Sequence, residues 1–156
     1  MPSSIFGALQ ASGVAQAVAK SNHLVGAGLQ IVHVLGLLLL LASVLLISLR
    51  AFELVLRRQS LAEVGAQSAR LLWVGMALAS LSGGLIFLSS AVRYAGNSAF
   101  DLKVAFLVAA IILQIITHRS VIVATPPRPL AVKSTAALSL LLWFGVAVAG
   151  RAIGYI

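Results

Sequence analysis

The sequence predicts an all-α integral membrane protein: a bundle of four transmembrane helices with a short N-terminal interfacial helix. Three observations lead there. Hydrophobic residues fill 61% of the 156 positions and charged residues only 9%, against roughly half and a quarter in soluble domains. The apolar residues fall in four long runs, and a hydrocarbon core of about 30 Å needs about 20 helical residues per crossing. The basic residues lie mostly between those runs rather than in a patch, so the net charge of +8 reads as topology and no nucleic-acid partner is expected. Cysteine is absent, which excludes disulfides, thiolate-held clusters and thiol catalysis. The length allows one transmembrane domain over residues 1–156.

Residues 1 to 20 carry Ile5, Phe6, Leu9, Val14 and Val18 at weakly amphipathic spacing, as expected of one short interfacial helix or two half-helices. This stretch has neither the basic n-region nor the apolar core of a signal peptide, so insertion through the first span is expected. The first span covers about 24–49, with helix continuing through Phe52 to Leu56, and its excess length suggests tilt. The second covers about 71–92, opening after Arg70 and closing at Arg93, Tyr94, Gly96 and Asn97. The third covers about 102–123 and stops before Pro126, Pro127 and Pro129, because proline lacks the amide hydrogen that continues a helix. The fourth covers about 136–156.

Arg50, Arg57, Arg58, Arg70, Arg119, Arg128 and Lys133 fall at one end of the spans, and Lys20, Arg93, Lys103 and Arg151 at the other. The positive-inside rule makes the first end cytoplasmic. A multi-pass protein of a bacterial inner membrane with both termini periplasmic is therefore expected.

Ionisable groups within a span cost about 2.5 to 3.5 kcal/mol each, so each needs a reason. His33 lies too deep in the first span to reach either surface. Gly26, Gln30, His33, Gly36 and Leu40 share its face, bringing an imidazole and glycine-sized clearance together. That arrangement suits a b-type haem with His33 as axial ligand. Equally, His33 could bond a carbonyl or hydroxyl on a neighbouring helix and only hold the helices together. On the third span Lys103, Leu107, Ala110, Gln114 and His118 form an inward stripe, with Asp101 a candidate partner for Lys103. On the second, Gly75, Ala79, Ser82, Ile86, Ser90 and Arg93 line one face, with Gly83 and Gly84 giving room for a helix or a flat cofactor. On the fourth, Trp143, Ala147, Gly150 and Gly154 form a similar face, ending at Arg151 and Tyr155. Arg93, Lys103 and Arg151 are thereby expected at one level, either to hold haem propionates or to reach lipid phosphates. His33 and His118 differ in depth by about 13 Å, whereas two nitrogens on one metal stand about 4 Å apart. A haem on His33 would need a non-histidine sixth ligand, an open position, or a histidine from another chain.

The segments His33 to Gly36, Leu49-Arg50, Tyr94 to Asn97, Phe100 to Lys103, Gln114 to His118, Trp143 and Gly150 to Tyr155 resemble a family of small, uncharacterised bacterial four-helix membrane proteins. The resemblance covers nearly the whole chain. Ser48 and Gln114 stand where that family typically carries Asp and Asn. More distantly, the span-one His followed by Gly and Arg, with Lys and His bracketing span three, is similar to the copper-resistance protein D group and the HemJ-type protoporphyrinogen oxidases. The latter resemblance implies a four-helix bundle with b-type haem.

Three functions follow as expectations. The first is a subunit holding haem b or a related redox cofactor for electron transfer, with His33, Gly36, Arg93, Lys103, Arg151 and Tyr155 as its cofactor residues. The second is a non-catalytic accessory or anchor subunit, with other membrane proteins and membrane lipid as partners. The third is copper or small-ion handling, poorly supplied by two Met and no Cys. Three acidic residues, all near loops, offer little acid–base equipment, so no catalysis by this chain alone is read.

Overall fold

Seven helices form among the described residues, 2–117 and 129–155, of the computed structural model: α1 (Pro2–Gln10), α2 (Gly13–Ala19), α3 (His23–Ala51), α4 (Leu61–Ser89), α5 (Ala91–Tyr94), α6 (Ser98–Thr117) and α7 (Pro129–Ala152). Four of them, α3, α4, α6 and α7, are long and apolar enough to cross a membrane. The N-terminal segment is two short helices, with Ser12 capping α2 through its hydroxyl on the Ala15 amide.

Three boundaries differ most from the sequence reading, each for a local reason; smaller differences of three or four residues fall at the end of α4, the start of α6 and the end of α7. α3 stops at Ala51 because Glu53 takes a left-handed φ of 62°. The Leu54 amide then bonds the Leu49 carbonyl and the Glu53 amide the Arg50 carbonyl, the pair of bonds that satisfies the orphan carbonyls of a helix end. α4 starts at Leu61, ten residues before the expected position, because Ser60 and Glu63 form a reciprocal cap. The Ser60 amide donates to Glu63 Oε2 at 2.6 Å and the Glu63 amide to Ser60 Oγ at 3.1 Å. α7 starts at Pro129, seven residues before the expected position; a first-turn residue needs no amide hydrogen, because first-turn amides have no intrahelical acceptor. The expected end of the third span, 118–123, lies outside the described residues.

Two compact units divide the chain, Met1–Leu40 with Trp73–Asn97, and Leu41–Leu72 with Ser98–Ile156. In the first, α1 packs against α5. Phe6 meets the edge of Phe87 at a centroid distance of 5.9 Å, Phe87 meets Tyr94 at 5.8 Å, and Gln10 Oε1 accepts the Val92 amide at 2.8 Å. Gly96, at φ 81°, turns the chain after α5. In the second unit α6 and α7 pack along each other. Its core includes Val44, Ile47, Val64, Ala110, Ala136, Trp143 and Val146. The large apolar side chains left exposed, among them Leu38, Leu81, Ile112 and Phe144, are the surface a bilayer would solvate.

Candidate functional site

His33, in the first unit, faces α4. Its Nδ1 lies 2.8 Å from the Ala79 carbonyl oxygen and 3.3 Å from Ser82 Oγ. A carbonyl only accepts, so Nδ1 carries the proton. Ser82 Oγ in turn donates to the Leu78 carbonyl at 2.5 Å. The imidazole rests on Gly83, where a Cβ would come within 2.7 Å of the ring carbon Cε1. Gly83 thus makes room for the histidine ring.

Three residues along, Gly36 is buried against α4. A Cβ there would meet the Ala79 nitrogen at 2.6 Å and the Gly75 oxygen at 2.9 Å. A Cβ on Gly75 would likewise meet the Gly36 oxygen and the Leu40 nitrogen, both at 2.7 Å. The glycine clearance beside His33 is therefore filled by helix backbone, and a porphyrin does not fit between α3 and α4 on this face. No group of three or more metal-ligating side chains occurs among the described residues. His118 lies outside them.

Arg93 also belongs to the first unit, exposed in the last turn of α5. Lys103, Arg151 and Tyr155 belong to the second. The Lys103 Nζ and Cε lie 3.4 Å from where a Gly150 Cβ would be, so the lysine chain runs across Gly150. One residue along, Arg151 stacks its guanidinium 4.7 Å from the centre of the Tyr155 ring. No ion pair joins Lys103 to Asp101 among the described residues. Of the inward stripe expected on α6, Ala110 and Gln114 are buried, Lys103 and Leu107 are half-buried, and His118 lies outside the described residues. On α7 the buried residues include Ala136, Ser139, Trp143, Val146 and Ala149; of the expected face Trp143 is buried, Ala147 and Gly150 are half-buried and Gly154 is exposed.

A buried polar group that sequence reasoning only touched, at Gln114, lies in the second unit. Ser48, Gln114, Thr117 and Ser139 are buried around a cavity of about 20 Å³ that Thr135 also lines. Ser139 Oγ donates to Gln114 Oε1 at 3.4 Å, while the buried Thr117 Oγ1 has no hydrogen-bond partner among the described residues. Serine and threonine are common inside helical spans and cost little there, so nothing in their spacing distinguishes them.

No curated protein and no solved structure matches the chain. The model of a family of unknown function, DUF6644, matches residues 12–156, and the chain belongs to that family.

Proposed function

We propose that the chain is a non-catalytic membrane subunit that packs against a transmembrane helix of a larger complex through the first half of α3. Gln30 carries this reading. It is exposed between the apolar Leu29 and Ile31, and among the described residues its amide makes no hydrogen bond. Gln30 stands seven residues from the midpoint of α3, about 10 Å along the axis, within a hydrocarbon half-thickness of about 15 Å. Lipid tails cannot satisfy a carboxamide, and a neighbouring helix can. Gly26, one turn before it on the same face, has nothing within 4 Å of its Cβ position, and neither has Gly28. A partner backbone has room to approach.

His33 is, in this reading, a fastener between α3 and α4, since its Nδ1 is engaged by the Ala79 carbonyl. The same bond sets the tautomer that a metal-ligating histidine uses, but a haem on His33 would have to lie outside the backbone contact of α3 with α4. The basic residues near the α3–α4 loop and the start of α7 would lie on the cytoplasmic side.

Extraction from native membranes in mild detergent tests the proposal. A stoichiometric membrane-protein partner is expected, with no Soret band in the purified material. Gln30→Leu should lower co-purification several-fold without lowering the melting temperature. A stable monomer lacking any partner overturns the subunit reading, and a Soret band lost in His33→Ala replaces it with the haem reading.

A further inference from the structure

The loop 52–60 between α3 and α4 is shaped by two arginines. Arg50 Nε donates to the Gln59 carbonyl and Arg57 Nε to the Glu53 carbonyl, each at 2.6 Å. These bonds brace a turn in which Glu53 and Leu56 both adopt left-handed φ, 62° and 53°. Each guanidinium is thereby tethered through Nε, and among the described residues its terminal amino groups meet no further protein acceptor. Two adjoining clefts open around them. One, of about 310 Å³, is lined by Arg50, Glu53 and Arg57. The other, of about 260 Å³, is lined by Arg50, Glu53, Ser60 and Lys133 over an apolar floor of Ala51, Leu61 and Val132. Lys133 Nζ stands 3.5 Å from Glu53 Oε1, so the clefts are lined by three cations and one carboxylate, which is in contact with one of them.

We infer that this double cleft binds the phosphate of an anionic phospholipid. A tethered guanidinium presents its remaining N–H groups in the fork that matches phosphate oxygens. Basic pockets beside transmembrane helices collect acidic headgroups. The surroundings favour a lipid over free phosphate: Leu54, Leu56 and Leu130 are 63%, 42% and 85% exposed. Leu54 and Leu56 sit within the loop and Leu130 at the start of α7. An amphiphile anchored by its phosphate would cover apolar side chains that inorganic phosphate would leave bare.

The test uses the delipidated full-length protein in detergent, titrated with phosphatidylglycerol or with phosphatidylcholine of the same chains, bound lipid being read by native mass spectrometry. Phosphatidylglycerol should bind about tenfold more tightly. Arg57→Gln and Lys133→Gln should each weaken it about fivefold, leaving phosphatidylcholine unchanged. Because Arg57 also braces the loop, Lys133→Gln, whose ammonium bonds no backbone group, is the deciding variant. Equal binding of the two lipids, or an unaltered preference in Lys133→Gln of unchanged melting temperature, overturns the inference. Displacement of phosphatidylglycerol by millimolar inorganic phosphate also overturns it, by showing a site that reads the free anion.

Discussion

Gly36 and Gly75 lock α3 to α4 through their backbones: a Cβ on Gly75 would lie 2.7 Å from the Gly36 oxygen, and one on Gly36 would lie 2.9 Å from the Gly75 oxygen. The atoms in the way are main chain, which cannot swing aside as a long side chain can. In a bilayer, where apolar burial does not favour helix pairing over lipid contact, such close approach supplies much of the attraction.

Gly36→Ala and Gly75→Ala should therefore each destabilise the protein by about 1–3 kcal/mol, as overpacking does. Because they push on the same contact, the double variant should lose less than the sum of the two. Unfolding in mixed micelles, followed by circular dichroism, measures all three. A sum that is fully additive would show that the two glycines act at separate contacts.

At His33 the expected loss is smaller. His33→Ala removes the bond to the Ala79 carbonyl and should cost about 0.6–2 kcal/mol, the range of interhelical hydrogen bonds in membranes. Gly83→Ala should cost as much or more by displacing the ring, since its Cβ would fall 2.7 Å from Cε1. Once His33 is Ala, the Gly83 substitution should become nearly neutral. A double-mutant cycle in the same unfolding assay reads the coupling.

Thr117→Val makes a prediction of opposite sign. Thr117 Oγ1 is buried without a hydrogen-bond partner among the described residues, and valine keeps its shape. The substitution should raise stability by about 1 kcal/mol by removing an uncompensated hydroxyl. The adjoining cavity of about 20 Å³ is close to the least that admits one water. A fall in thermal stability instead would report a water bound there by the threonine.

Ser60→Ala should shorten α4 from its N-terminus and cost about 0.5–2 kcal/mol, the usual value of a lost N-cap. Glu63→Gln, which keeps the hydrogen-bonding geometry of the reciprocal cap, should cost less. Amide hydrogen exchange over residues 61–66 would localise the effect, with faster exchange in Ser60→Ala confined to that turn.

The spans were legible because hydropathy over some twenty residues is a strong signal, whereas their ends were not. Arg70 marks the expected opening of the second span, yet α4 runs through it, and past Arg50, where the helix is expected to continue to Leu56, the turn at Glu53 closes α3 instead. At α4 the charge marks where helix leaves hydrocarbon, not where helix begins; the Ser60–Glu63 cap sets that end. At the site, His33 and Gly36 could be assigned an inward face from periodicity alone. Their partners could not be, because Ala79 lies 46 residues from His33, and nothing local in sequence encodes a contact at that separation. A different limit holds for Arg50 and Arg57: their bonds to loop carbonyls are local in sequence, but they depend on left-handed turns at Glu53 and Leu56 that neither residue type advertises.

The equal lengths of α3 and α4 have a further consequence. Each has 29 residues, or about 43 Å, which is the full thickness of a bilayer from one headgroup layer to the other, about 40–45 Å. With their midsections clamped at the two glycines, these helices cannot easily shorten to suit a thinner membrane. A thinner membrane must then stretch around their ends or let each helix tilt, so a preference among bilayers of graded thickness is expected and reconstitution into lipids of graded chain length would measure it.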